Sequence, residues 1–476
     1  MKVEQIYTNC LAEAAYYIES NGEAAIIDPI RETEPYLEKL KSTGAKLKYV
    51  FETHFHADFV SGHIDLAKQT GAEIVFGPLA ETGYKAKNAK DGEVFSIGKI
   101  KIKVLHTPGH TPESSCYLLF DENGKENCVF TGDTLFIGDV GRPDLLDGKM
   151  SKEELASMMY DSLNKKIKTL PDDVTVYPAH GAGSACGKNI SKETSSTIGK
   201  QKKLNYALQE MTREDFIKVV TDGLSAPPPY FFKDAMINKN GYDNIKDVMN
   251  RNMKALTPDE VKKEISNGAL VLDTRNSELF GKGFIKGSIH IGLNGTYAVW
   301  IGTLIDINRP LVFLTEEGKE HESILRAARV GYENVKGYLK GGIPAWVNAG
   351  NPLEKIRSLT AWEFADKITP KAFGAAEEDL KANTGQIILD VRKPSEYEIA
   401  HVKNSQLVEL ASLPKNIGSL DKKKNYLVHC AGGYRSMIAA SYLQANGFEN
   451  VVDVAGGFSQ IAATDAPIEV AEKAAM

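Results

Sequence analysis

Short runs in the N-terminal half alternate apolar and polar residues, and they end in a recurring way. In KIKVLHTPGH, Ile102 and Val104 point to one side while Lys101 and Lys103 point to the other, the period of a half-buried strand. YVFETHFHAD from Tyr49, NCVFTGD from Asn127 and DVTVYPAHG from Asp173 also open as apolar or alternating strands and then turn. Helix-like patterns separate them through residues 1 to about 220. A break follows: Pro227, Pro228 and Pro229, the aromatic run Tyr230-Phe231-Phe232, and the Gly- and Asn-rich INKNGYDN. Proline blocks continuation of helix or sheet, so this stretch is expected to be a connector carrying a docking aromatic cluster.

The remainder contains an internal repeat. Leu256-Thr257 opens one unit and Leu359-Thr360 the next, and LVLDTRNSELF from Leu270 matches IILDVRKPSEY from Ile387. GYENV at Gly331 matches GFENV at Gly447, each followed by a glycine pair, Gly341-Gly342 and Gly456-Gly457. Matches in the same order along both copies, each reading strand, helix, strand, helix, predict two parallel-sheet α/β domains. The expected division is 1–250 for the first domain with its connector, 251–357 for the middle domain and 358–476 for the last.

Composition narrows the class. At 476 residues the chain exceeds one ordinary core, and 42% apolar with 25% charged residues is the balance of a folded globular protein. A net charge of −6, with no Lys/Arg-rich face or tail, argues against a nucleic-acid partner. The start, MKVEQIYTNC, lacks the pattern of a signal peptide, and no apolar run reaches the length of a membrane span; a cytoplasmic protein without a membrane partner is expected. Five scattered cysteines (Cys10, Cys116, Cys128, Cys186, Cys430) are neither a disulfide framework nor a CxxC zinc site. Only Cys186 and Cys430 have surroundings that set them apart from small buried hydrophobes.

The candidate chemistry sits in the turns. They deliver His54, His56, Asp58, His63, His106, His110, Asp133 and His180. A lone histidine is usually a hydrogen-bonded surface or core residue. So many acids and imidazoles on equivalent loops, beside glycines that allow close approach, read instead as a metal site.

THFHAD, HTPGHT, TGDTLF and YPAHG resemble, in order, the four metal-binding motifs of the metallo-β-lactamase superfamily, an αββα sandwich. The usual first motif is H-x-H-x-D-H, and here Phe59 takes the final position. That departure removes a ligand of the second metal, so a single metal is expected. Within the superfamily the chain resembles the persulfide dioxygenases, which hold one iron by two histidines and one aspartate. The resemblance implies one Fe(II) per chain on His54, His110 and Asp133, a facial triad that leaves open positions for O₂ and a substrate sulfur. His56, Asp58 and His180 would then orient ligands or hold water. GRPDLL resembles the same branch, making Arg142 a candidate for steadying the Gly-containing loop or contacting an anionic thiol substrate, with a structural salt bridge as the alternative. Cys186, in HGAGSACGK, is expected either to line the metal pocket as a sulfur relay or to be a bystander thiol.

In the last repeat, YLVHCAGGYRSMIAASYL reads as strand, Gly-containing loop and helix, with Cys430 opening the loop and Arg435 closing it. Backbone N–H groups of Gly432, Gly433 and their neighbours, capped by a helix N-terminus, form an anion cradle that favours a thiolate and a persulfide. The loop resembles that of the rhodanese sulfurtransferases, as do LDVR (Asp390, Arg392) before it and GGF (Gly456 to Phe458) after it. The middle repeat carries Thr315 where Cys430 stands and Glu320 in place of the arginine, so it is expected to be a non-catalytic spacer or docking module.

Together the parts resemble fused persulfide dioxygenase–sulfurtransferases. The resemblance implies oxidation of a low-molecular-weight persulfide, glutathione persulfide or similar, by O₂ to sulfite at the iron. Sulfane sulfur would then pass through Cys430 to sulfite, giving thiosulfate, with sulfide detoxification as the role. A homo-oligomer is compatible with all of this. Two rivals stay open: a thioester hydrolase of the glyoxalase II kind on zinc or a metal pair, and a sulfane-sulfur carrier or sensor with a vestigial metal site.

Overall fold

The alternating run at Lys101 becomes a strand whose inward residues, Ile102 and Val104, are fully buried. Around it the first unit builds two mixed six-stranded sheets. In the first sheet the strands follow chain order: β1 (Lys2–Thr8), β2 (Glu13–Ser20), β3 (Glu23–Ile27), β4 (Lys46–Phe51), β5 (Glu73–Phe76) and β6 (Lys87–Asn88). The pairs β1-β2 and β2-β3 are antiparallel, and the remaining pairs are parallel. The second sheet comprises β7 (Val94–Ile97), β8 (Ile100–His106), β9 (Ser115–Phe120), β10 (Glu126–Gly132), β11 (Thr175–Pro178) and β12 (Ser196–Thr197), in the order β12-β11-β10-β9-β8-β7. This computed structural model describes residues 1–146, 150–224, 226–369 and 385–471.

The core explains the patterning. Tyr16, Ile27 and Phe51 of the first sheet meet Ile102, Tyr117 and Phe130 of the second. The other face of the second sheet, with Cys116, Leu118 and Val129, is covered by Met159 and Phe216 of the helices Lys152–Ser162 and Arg213–Thr221. Because β9 is covered on both faces, SCYLLF reads as a continuous apolar run. Cys116 and Cys128 belong to this packing, and burial pushes their thiols up to about 11 and about 12. The helix His63–Thr70 packs over β4 and β5. The result is the αββα sandwich.

The stretch after Pro229 is more ordered than a connector. Tyr230 and Phe231 are buried, as expected of a docking cluster, but INKNGYDN enters a helix, Phe231–Asn240. The cause is tertiary. Asn238 Nδ2 donates to the carbonyls of His56 and Phe59 at 2.7 Å each, and its Oδ1 accepts from Ser61 N at 2.9 Å. An asparagine that marks a loop by composition here ties down the loop that carries three site residues.

The second unit repeats one topology twice. β13 (Ala255–Leu256), β14 (Leu270–Asp273), β15 (Ile289–His290), β16 (Leu311–Leu314) and β17 (Val335–Leu339) form a parallel sheet in the order β13-β17-β16-β14-β15. The strands β18 (Arg357–Leu359), β19 (Gln386–Asp390), β20 (Ala400–Val402), β21 (Gln406–Leu407), β22 (Asn425–His429), β23 (Asn450–Val454) and β24 (Ile468–Val470) follow. Five of them form a parallel sheet ordered β18-β23-β22-β19-β21, while β20 and β24 pair separately. Local chemistry repeats too. Thr257 with Glu260 and Thr360 with Glu363 close capping boxes at the helices Pro258–Ser266 and Ala361–Ile368. Arg275 clamps Asp273 and the Gly283 carbonyl, as Arg392 clamps Asp390 and the Ala400 carbonyl. By compactness the units are Met1–Val248 with Ala327–Tyr332, and Met249–Arg326 with Glu333–Met476. Among the described residues no helix is long and apolar enough to cross a membrane.

Candidate functional site

Four strand ends converge in the first unit. The turn after β4 supplies His54, His56 and Asp58; that after β8 supplies His110; Asp133 follows β10 and His180 follows β11. All six are buried. Asp133 Oδ2 lies 3.3 Å from His110 Nε2 and 3.9 Å from His54 Nε2, and Asp133 Oδ1 lies 3.5 Å from His180 Nε2. His180 Nε2 is also 3.4 Å from Asp58 Oδ2. Two of the residues named from sequence are elsewhere. His106 turns outward and bonds the Pro112 carbonyl through Nε2, and His63 faces Glu52 and Tyr84.

The imidazoles are aimed by their outer nitrogens. Thr53 Oγ1 donates to Asp28 Oδ2 at 2.8 Å, so its lone pair is left for His54 Nδ1–H at 3.0 Å. His110 Nδ1 donates to the Arg142 carbonyl at 2.8 Å, and His180 Nδ1 faces the Ala12 carbonyl at 3.3 Å. Each arrangement puts the proton on Nδ1 and leaves Nε2 as a free lone pair turned inward. Burial, with the imidazoles of His56, His110 and His180, holds His54 well below its usual value and therefore neutral.

These inward atoms have no hydrogen-bond partner: His54 Nε2, His110 Nε2, His180 Nε2 and both Asp133 oxygens are buried and unsatisfied. One such atom costs about 1–3 kcal/mol, so a cluster of five on one point needs a cation to satisfy it. The donor set fits a metal ion. His54, His110 and Asp133 form one set whose ligand atoms lie within 4.8 Å of one another; His56, Asp58 and His180 form a second, and Asp133, His180 and Cys186 a third.

His56 is drawn away from the second set. Its Nε2 lies 3.1 Å from Asp28 Oδ1 and 3.7 Å from Glu52 Oε2, and Phe59 packs against its ring at 4.4 Å between centroids. Burial opposes a charge there, but Asp28, Glu52 and Asp58 outweigh it and hold the imidazole at about 10. Sequence reasoning passed over Asp28, Glu52 and Thr53. Asp28 ends β3 as Asp133 ends β10, a signal that was available in AAIIDPI.

Arg142 and Cys186 belong to the same neighbourhood. The Arg142 guanidinium is buried and bidentate on Asp144, at 2.6 and 2.8 Å, and also donates to the Ala185 carbonyl. Its backbone N–H donates to the Cys186 carbonyl at 2.9 Å, which joins the two loops. A Cβ on the adjacent Gly141 would overlap the Asp133 carbonyl and crowd His110 Nδ1 to 2.9 Å, so only glycine fits. Burial, reinforced by Asp58 and Asp133, raises the Cys186 thiol well above its usual value, keeping it protonated.

In the second unit Cys430 follows β22 and is 1% exposed. Gly433 N–H donates to its Sγ at 3.1 Å, and Phe458 N–H to its carbonyl at 2.6 Å. The helix Tyr434–Ala445 begins at once, with Gly432 and Gly433 before it. Gly457 has φ +58 and its Cβ would overlap the Cys430 carbonyl. Arg435 is bidentate on Glu396 at 2.7 and 2.8 Å, and Arg392 stacks 3.9 Å over Phe458. The middle repeat has Thr315 after β16 and Glu320 at the start of the helix Glu320–Ala328, with Gly318 at φ +79 beside Gly433 at φ +96.

Three segments of the chain match models of known protein families. Residues 8–180 match the family model of the metallo-beta-lactamase superfamily, and 257–349 and 375–464 each match that of the rhodanese-like domain. The human mitochondrial persulfide dioxygenase ETHE1 is 33% identical over 210 residues, 44% of this chain and 74% of that protein. A probable hydroxyacylglutathione hydrolase of Schizosaccharomyces pombe is 34% identical over 181 residues, 37% of this chain and 66% of that protein. The crystal structure of a metallo-beta-lactamase from Staphylococcus aureus superposes with a TM-score of 0.63 at 32% identity, covering 71% of this chain and 98% of that one.

Proposed function

Since the chain belongs to the metallo-beta-lactamase superfamily and continues into two rhodanese-like domains, we propose that it is a persulfide dioxygenase–sulfurtransferase. In this reading residues 1–250 are the dioxygenase with its C-terminal helices, 251–357 a rhodanese domain without a nucleophile, and 358–476 the catalytic rhodanese domain. The observation that carries it is the set of buried, unpartnered donors on His54, His110 and Asp133 in the same chain as a Cys430 loop.

His54, His110 and Asp133 would hold one Fe(II), which when bound supplies the one-electron chemistry that ground-state O₂ requires. Thr53, held by Asp28, and the Arg142 carbonyl keep the ligand imidazoles oriented with Nε2 turned inward. Asp58 and His180 hold water or substrate protons beside the ligands, and His56 stays bound to Asp28 and Glu52. Arg142 ties the loop that carries Asp133 to the loop that carries Cys186, and Cys186 lines the substrate pocket. The net reaction is RSSH + O₂ + H₂O → RSH + SO₃²⁻ + 2H⁺.

At the second site the Cys430 thiolate attacks the outer sulfur of a persulfide: Cys430–S⁻ + R–S–SH → Cys430–S–SH + RS⁻. After loss of its proton the bound persulfide gives its outer sulfur to sulfite, forming thiosulfate and restoring the thiolate. The Gly433 N–H and the helix start stabilise the anion, and Glu396 holds Arg435 at the loop. The partners are a low-molecular-weight persulfide, O₂ and sulfite, and the setting is cytoplasmic sulfide detoxification.

A second reading, thioester hydrolysis, is favoured by the likeness to hydroxyacylglutathione hydrolases and by the proximity of His56, Asp58 and His180. Against it, His56 Nε2 is engaged by Asp28. Metal analysis of anaerobically purified protein, with O₂ uptake on glutathione persulfide, separates the two. About one iron per chain with uptake supports the dioxygenase; one or two zincs without uptake would overturn it.

A further inference from the structure

The middle repeat lost its nucleophile but kept a crevice. A cleft of about 460 Å³ within the second unit is bordered by Asn276, Glu278, His290, Glu316, Lys319 and Glu322 of the middle repeat. Its other wall is the last repeat: Gly432, Gly433, Tyr434, Asp453 and Gly456. Tyr434 Oη donates to the Gly292 carbonyl at 2.7 Å, which fixes one wall on the other.

Two buried acceptors border this cleft without a partner. His290 is 1% exposed; its Nε2 donates to the Arg275 carbonyl at 2.8 Å, so Nδ1 is a bare lone pair, and it is unsatisfied. Burial lowers its basicity, which keeps it neutral. Asp453 is 3% exposed; Ser358 donates to its Oδ2 at 3.1 Å and the Ser436 hydroxyl also acts on the carboxyl, while Oδ1 accepts no hydrogen bond of good geometry. The carboxylates Glu278, Glu316 and Glu322 also line it; Glu322 is paired with Lys319 at 2.9 Å and with Arg326 at 3.1 Å, which leaves Glu278 and Glu316 in excess. Unsatisfied acceptors in lining residues, together with an excess of carboxylates, call for a ligand rich in N–H donors and positively charged.

The position gives that ligand a role. Gly433 borders the cleft, and its N–H is the group that donates to Cys430 Sγ. An occupant therefore lies against the peptide that holds the reactive sulfur, on a flank distinct from Arg435 and Glu396, which do not border the cleft. We propose that the cleft binds the ammonium group of an aminothiol carrier, so that the middle repeat selects which persulfide delivers sulfur to Cys430. This rests on the sulfurtransferase reading above and narrows its substrate class to thiols bearing a free amine, against purely anionic carriers.

The test is anaerobic, so that no oxidation by O₂ competes, and uses the full chain. Persulfide on the Cys430 peptide is followed by mass spectrometry after mixing with glutathione persulfide, with its N-acetylated form, or with inorganic thiosulfate. The expected result is labelling about tenfold slower from the N-acetylated donor, a preference that Asp453→Asn abolishes while thiosulfate labelling is kept. Equal rates for the two persulfides in the unmodified enzyme would overturn the inference without any variant having to fold. A preference unchanged in a folded Asp453→Asn protein would also overturn it. Failure of every donor, thiosulfate included, to label Cys430 would instead sink the sulfurtransferase reading and this inference with it.

Discussion

At the scale of single residues, the first unit turns the Nε2 atoms of three imidazoles inward by bonding their Nδ1 atoms to Thr53 and to the carbonyls of Arg142 and Ala12. His110→Ala removes one ligand and the link to the Arg142 carbonyl. Iron should fall to a small fraction of the wild-type content, with loss of O₂ uptake; a variant that keeps both would refute the ligand assignment. Cys430→Ser should leave sulfite production intact and halt thiosulfate, measured by product chromatography, because an alcohol cannot carry sulfane sulfur. Asp453 offers a pH test. Burial raises its carboxyl to about 6 in the folded chain, above the value near 3.9 of an unfolded aspartate. The native state therefore binds more protons between these values, and stability falls as pH rises from about 4 to about 6 and stays lower above. Asp453→Asn should raise Tm at pH 7–8, by up to about 2 kcal/mol of stability, with the gain vanishing near pH 4. A thermal scan showing the same shift at both pH values would contradict this.

At the scale of elements, the recurring unit is a strand that ends in a turn aimed at a site. The second unit shows how little local sequence is needed. β22, the loop and the helix Tyr434–Ala445 place Cys430 beneath Gly433 N–H. Gly457 is required because its φ is left-handed and its Cβ would strike the Cys430 carbonyl. Gly457→Ala should cost about 1–3 kcal/mol and displace the loop, read as lower Tm with loss of thiosulfate labelling at Cys430. Wild-type labelling would show that the loop tolerates the shift. The element least legible in sequence was the helix Phe231–Asn240, since its Gly- and Asn-rich end follows three prolines and reads as a linker. What makes it part of the site is Asn238, bonded to three backbone groups of the His56–Ser61 loop, a contact across about 180 residues. No local pattern encodes such a partner.

At the scale of the whole molecule, the consequence of fusion is testable without cutting the chain. Full-length His110→Ala and Cys430→Ser proteins, mixed, contain one working site of each kind on separate molecules. At submicromolar protein the mixture should form thiosulfate more slowly than wild type, with the gap closing as free sulfite accumulates, because linkage raises the effective concentration of the intermediate. Equal rates at all concentrations would mean that sulfite equilibrates with solvent before capture. Much of this organisation was written in the sequence. Alternation and continuous apolar runs determine the strands, because side chains point to opposite faces with period two and fully covered strands lose the alternation. The ordered repeat determines two copies of one α/β topology, and the turn motifs determine which residues can reach a common point. Only the tertiary structure decided which of them meet. His106 and His63 turn away, while residues not among the candidates position the rest: Thr53 with Asp28 aims His54, and Asp28 with Glu52 holds His56. It also decided that the degenerate repeat borders a cleft beside Cys430, because His290 and Asp453, 163 positions apart, are brought together by two separate sheets. Periodicity is local and is carried by the chain itself; the pairing of a buried polar atom depends on whatever the fold sets against it.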